Sequence, residues 1–175
     1  FLNELLEKAK PAAKNEFDKL EAFAYELDGL KKLEKWDGAY YSEKLKQKLF
    51  DLDAEQLKPY FKLDNVIEGV FNIAHQLYDL NFKEVFDIDK YHEDVKTYSV
   101  TDKDNHLIAL FYADFHPRPG KRGGAWMTSF KPQYKNENLN VRPHISNVCN
   151  FTKPTTSKPS LLSFNEVTTL FHEFG

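Results

Sequence analysis

Val95-Lys96-Thr97-Tyr98-Ser99-Val100-Thr101 is where the chain changes character. Its larger side chains alternate with polar ones, the period of a strand with one buried face. Thr101-Asp102-Lys103-Asp104-Asn105 follows as a cluster of turn formers, and Leu107 to Phe115 is dense in strand formers. Together they predict a β-hairpin. Further on, His116-Pro117-Arg118-Pro119-Gly120-Lys121-Arg122-Gly123-Gly124 reads as a loop, Ala125 to Phe130 as a third strand and His144 to Phe151 as a fourth. The stretches 131–143 and 152–160 are polar or proline-bearing connections.

Upstream, residues 1 to about 81 carry helical spacing instead: Leu2, Leu5, Leu6, Ala9, Phe17, Leu20, Ala24 and Leu27, then Val66, Ile67, Val70, Ile73, Ala74 and Leu77. Pro11 is expected to start or kink a helix, Gly29 to close one and Asp37 to cap the next, with Asp53 and Asp64 as further N-cap candidates. At the far end Ser163-Phe164-Asn165-Glu166 reads as a capping box, in which a hydroxyl and a carboxylate reciprocally satisfy exposed backbone donors. Val167, Leu170, Phe171 and Phe174 then share one helical face. The expected fold is α+β and mainly α: 1–94 helical, 95–160 a small, mostly antiparallel sheet, and 161–175 the start of a last helix, all within one larger domain. Both ends fall inside elements, so the chain is expected to be an internal piece of something longer.

Composition narrows the classes of function. Of 175 residues, 41% are hydrophobic, with 15 Phe, 9 Tyr and 2 Trp, enough apolar surface to exclude disorder over the whole chain. A net charge of −3 gives no basic field, so no nucleic-acid partner is expected. No apolar run approaches the roughly 18 residues of a membrane span, and Phe1-Leu2-Asn3-Glu4 is already charged, unlike a secretory leader. The single cysteine, Cys149, rules out an internal disulfide and by itself any thiolate metal cluster. Cytoplasm is the expected compartment, with the periplasm also compatible.

Candidate chemistry concentrates in the last helix, at His172-Glu173-Phe174-Gly175. In an H-E-x-x-H helix the two imidazoles fall on one face and converge on a zinc ion, and the Glu reaches the water that attacks substrate. The sequence supplies the first three characters of that pattern and a Gly. With six His in the chain, about 0.5 His-Glu pairs arise by chance, and His92-Glu93 is such a pair, followed by Asp94-Val95-Lys96. On the helical wheel His172 and Glu173 are expected away from the apolar stripe. Other candidates read more simply. The cationic loop Arg118–Gly124 lacks phosphate-loop order and is expected to be a strand connection. Cys149 is expected to be a buried strand residue without an activating partner. Asn150-Phe151-Thr152 is a glycosylation acceptor by pattern only. His75, His106, His116 and His144 lack ligand spacing.

Taken together, these stretches resemble the thimet-oligopeptidase-like zinc metallopeptidases (family M3), and within them the bacterial peptidyl-dipeptidase (dipeptidyl carboxypeptidase) branch. The resemblance is carried by Trp36-Asp37 with Tyr40-Tyr41, Tyr60-Phe61-Lys62-Leu63, His92 with Val95, Phe111-Tyr112-Ala113-Asp114, Arg118 through Trp126, Asn147 through Pro154, and Leu161 through Gly175. The Arg118–Trp126 block and the last helix are its most specific parts. Lys90-Tyr91-His92 departs from it, since family members often have Trp before that His.

The resemblance implies a largely helical enzyme acting on short peptides. His172 would be its first zinc ligand and Glu173 the general base that activates water. The sheet edge at Gly124, Ala125 and Trp126 would pair with substrate backbone as an added strand. The remaining ligands would lie beyond Gly175. One zinc per full-length chain is therefore expected, and residues 1–175 alone are expected to bind none stoichiometrically and to hydrolyse nothing. The partners expected are short peptide substrates, with no membrane, and the protein is expected to be a monomer. Cleavage inside short peptides is the alternative within this class, and a non-catalytic α+β interaction module the alternative outside it.

Overall fold

The computed structural model describes residues 1–51 and 54–175, which fall into two compact units, Phe1–Asp53 and Ala54–Gly175. The N-cap candidate Asp53 lies outside the described residues. In the first unit α1 spans Leu2–Asp28 and α2 Gly38–Phe50. α1 runs through Pro11 without ending, so that Pro does not start the helix. The surrounding turns are solvent-exposed, so water can satisfy the carbonyl whose N–H partner Pro lacks. Gly29 closes α1 in the left-handed region at φ 70°, where a residue without Cβ is unstrained. Phe23, Ala24, Leu33 and Tyr41 form the small core of this unit, and the Tyr41 hydroxyl donates to Asp28 Oδ2 at 3.0 Å. Asp37 occupies the N-cap position of α2, but its side chain makes no cap bond there. Its Oδ2 accepts from the Glu34 N–H instead, closing the preceding turn.

The second unit begins with α3 (Ala54–Leu57), a 3₁₀ turn at Lys58–Tyr60 and α4 (Leu63–Tyr78). Lys62, not Asp64, holds the N-cap position of α4. Asp64 lies in the first turn, where a negative charge complements the helix dipole. Seven strands follow: β1 (Asn81–Val85), β2 (Lys96–Thr101), β3 (Leu107–Asp114), β4 (Trp126–Lys131), β5 (Tyr134–Lys135), β6 (Asn140–Val141) and β7 (His144–Val148). β5 and β6 form a separate two-stranded ribbon, and the others form one sheet in the order β1-β2-β3-β7-β4. All neighbours in that sheet are antiparallel except β3 and β7, which run parallel. The sheet is mixed and mostly antiparallel, within an α+β fold that is mainly α. After β3 the chain crosses to the far edge to make β4, then turns back through β5 and β6 to insert β7.

Position in the sheet decides burial. The central strands β3 and β7 are covered on both sides over Phe111–Asp114 and Ser146–Val148. On one face α4 lays down Leu63, Val66, Ile67 and Val70 against Tyr98, Val100, Phe111 and Ala113. Each such side chain contributes about 1.5–3 kcal/mol when fully buried. Phe71 stacks on Phe82 with ring centroids 4.1 Å apart, and Phe174 meets Phe111 edge-on at 5.5 Å.

The last helix, α5 (Phe164–Phe174), is anchored before it starts. Leu63 N–H donates to Ser160 O at 2.9 Å, and Leu162 N–H to Phe61 O at 2.8 Å. Leu162 is fully buried beneath. The capping box forms as its sequence predicts: Glu166 N–H donates to Ser163 Oγ at 3.3 Å, and Ser163 N–H to Glu166 Oε2 at 2.7 Å.

Candidate active site

α5 turns Leu170 fully inward and leaves His172 exposed. Glu173 differs from the helical-wheel expectation: it is half-buried and flanks the apolar stripe. It lines a cavity of about 510 Å³ together with Met127 of β4, Asn147 of β7 and Phe171, Phe174 and Gly175 of its own helix. His172 and Glu173 therefore project in different directions, one to solvent and one toward the sheet.

Gly124, Ala125 and Trp126 lead into β4, which pairs only with β7 and is thus an edge of the sheet. Gly124 has φ 92°, a conformation that side-chain-bearing residues avoid. Asn150 holds this turn from the other side: its Nδ2 donates to Arg122 O at 3.0 Å and to Gly124 O at 2.8 Å. The amide nitrogen that the glycosylation pattern singles out is thus committed within the fold. Ala125 packs on the core, and the Arg122 guanidinium lies 6.0 Å from the Trp126 ring centroid. The Trp126 side chain lines a second cavity, of about 790 Å³, with Tyr91, Arg118 and His144. Met127, its neighbour, lines the cavity of Glu173.

The cationic loop behaves as a connection. Asp114, 2% exposed, is the centre that holds it. Arg118 makes two bonds to its carboxylate, at 2.6 and 2.8 Å. Lys121 Nζ donates to Asp114 Oδ1 at 2.8 Å and to the carbonyls of Asp114, His116 and Cys149. Tyr91 hydroxyl donates to Asp114 Oδ2 at 3.0 Å, which gives the Lys90-Tyr91-His92 departure a structural role. Burial alone would raise the Asp114 pKa, but the bonds from Arg118, Lys121 and Tyr91 outweigh it and hold the carboxyl at about 2. This network, which ties the ends of β3 and β7 to the loop before β4, was missed in the sequence. Its one trace there is an Asp inside an apolar strand with cations four and seven residues on.

Cys149 is fully buried, as expected, but it follows β7 instead of lying in it, since the strand ends at Val148. Desolvation, with a smaller contribution from the Glu173 carboxylate, pushes its thiol up to about 12. Four other histidines are engaged within the fold: His75 with Leu80 O, His92 with the Asp94 N–H, His116 with Phe151 O and His106 with Asp102. Among the described residues, ligand-capable atoms gather in threes only at Asp102, Asp104 and His106, a turn in which Asp102 Oδ1 accepts the N–H groups of Asp104 and His106. His172 belongs to no such group among the described residues. A catalytic zinc takes about three protein ligands, so these residues do not by themselves fit a complete zinc centre. Among them, no helix is long and apolar enough to cross a membrane.

Comparison with known proteins brings in a family description, "Peptidase family M3", whose model matches residues 1–175. Oligopeptidase A of Escherichia coli is 40% identical over 176 residues, covering 100% of the chain and 26% of that protein. Dipeptidyl carboxypeptidase of the same organism is 44% identical over 177 residues, again 100% of the chain and 26% of that protein. Dipeptidyl carboxypeptidase of Salmonella typhimurium is 49% identical over 142 residues, 80% of the chain and 20% of that protein. The chain spans about a quarter of the length of these relatives.

Proposed function

The chain belongs to peptidase family M3, and on that premise we propose that the whole protein hydrolyses short peptides and releases dipeptides from their free C-termini. Glu173 is the general base that takes a proton from the attacking water, and His172 is one ligand of a zinc ion. A zinc ion, when bound, polarises a carbonyl and lowers the pKa of water. Its remaining ligands come from parts of the whole protein outside these 175 residues. The backbone of Gly124, Ala125 and Trp126 aligns the substrate as an added strand. The protein acts as a monomer in the cytoplasm, without a nucleic-acid or membrane partner.

The observation that supports this reading best is the capped helix α5. It exposes His172 to solvent and sets Glu173 half-buried at a cavity whose other wall includes β4, the open edge of the sheet. Such a carboxylate shares its cavity with Met127 of that edge strand.

In the full-length protein, Glu173→Gln should lower kcat for a blocked tripeptide by about a hundredfold or more, the usual scale for a general base, while bound zinc stays the same. Unchanged turnover would remove Glu173 from the role of base, and no turnover by the parent protein would leave the interaction-module reading standing. Relatives named for each specificity are about equally similar to the chain, so the bond cleaved needs its own assay. A C-terminally amidated peptide should resist cleavage if a free C-terminus is read, and internal cleavage of it would favour the oligopeptidase alternative.

A further inference from the structure

The cavity beside Glu173 is lined by apolar side chains apart from Tyr78, Asn147 and Glu173. Tyr78 is largely exposed, whereas Asn147 is 1% exposed. Asn147 Nδ2 has no hydrogen-bond partner among the described residues. A buried donor left unpaired costs about 1–3 kcal/mol, and an apolar side chain there would avoid that cost. The strand register explains why no neighbour satisfies it: Asn147 stands opposite Met127 on β4 and Ala113 on β3, and neither side chain accepts. The acceptor on the same cavity is the Glu173 carboxylate, close enough to help raise the thiol of Cys149, the residue that follows β7. Buried polar groups without partners are rare in folded proteins, and those that persist call for a functional explanation.

We propose that Asn147 is a positioning residue: its Nδ2–H donates to the Glu173 carboxylate once a peptide occupies the site, and fixes the carboxylate orientation from which the base works. This rests on the reading of Glu173 as the base. A carboxylate at the end of a flexible side chain samples several orientations, and a single fixed donor in an apolar cavity, with little water to compete, selects one. The donor touches neither substrate nor zinc, so its effect falls on turnover.

The test uses the full-length protein and a blocked tripeptide. Asn147→Leu keeps the branching at Cγ, places its extra bulk beside the cavity and removes the donor. It should lower kcat about tenfold with KM within about twofold, and Asn147→Gln, which restores a carboxamide, should recover part of the loss. In a Glu173→Gln background, Asn147→Leu should cause no further fall, because a residue acting through Glu173 has nothing left to act on. Thermal unfolding should show Asn147→Leu no less stable than the parent. An unchanged kcat, a change carried by KM alone, or an additive loss in the Glu173→Gln background overturns the positioning role. If Glu173→Gln itself leaves kcat intact, the reading of Glu173 as the base fails instead, and the two failures are told apart.

Discussion

At the scale of single residues, the proposed site and the network around Asp114 differ in how local their signals are. His172 and Glu173 stand out in sequence because their spacing and the cap ahead of them are local features. The cluster around Asp114 does not, because Tyr91, Arg118, Lys121 and the Cys149 carbonyl meet only after β7 inserts between β3 and β4. Asn147 escapes for the same reason, since its isolation depends on its neighbours in register. The Asp114 cluster makes a measurable claim. Lys121 is 3% exposed, so Asp114→Asn strands a buried cation and should cost about 3 kcal/mol, read as a lower urea midpoint. The pH dependence has a definite sign. The carboxyl titrates at about 2 when folded and at about 3.9 when unfolded. Its contribution, about 2 kcal/mol, is therefore present above pH 4 and is lost as pH falls toward 2. Asp114→Asn should flatten the stability profile across that window.

At the scale of elements, the hairpin of β2 and β3, the third expected strand and the capped helix α5 follow their sequence signals closely, while the fourth ends at Val148, three residues before the expected Phe151. What escapes is pairing. β1 is short, and its two apolar side chains, Phe82 and Val85, are three residues apart and show no period of two; Phe82 is held by stacking on Phe71. The parallel contact of β3 and β7 has no local signal at all. α1 shows the converse, a local breaker overridden: an exposed helix tolerates Pro11 because water can take the orphaned carbonyl. Two substitutions test elements near the site. Ser163→Ala removes the acceptor for the Glu166 N–H and should cost about 1 kcal/mol, with faster hydrogen exchange in the first turn of α5. Gly124→Ala meets no steric neighbour but must hold φ 92°, so it should cost about 1–3 kcal/mol. If substrate backbone docks on that edge, the same variant should raise KM more than it lowers kcat.

At the scale of the whole molecule, the chain spans about a quarter of relatives that carry peptidase names, and His172 is the one residue in it proposed as a zinc ligand. Calorimetric titration of residues 1–175 with zinc should show no tight one-to-one step, whereas the full-length protein should lose activity to a chelator and regain it on adding zinc. Tight binding by residues 1–175 would mean that the ligand set is complete without the rest. One buried group shapes how inhibitor experiments on that protein should be read. With its proton held until about pH 12 and no solvent access, the Cys149 sulfur offers alkylating or oxidising reagents almost no thiolate while the fold is intact. Inactivation by a maleimide would therefore count how often the segment just after β7 comes away from Asp114. The reagent becomes a clock for local opening in this part of the chain, and sensitivity to it is no evidence of cysteine chemistry.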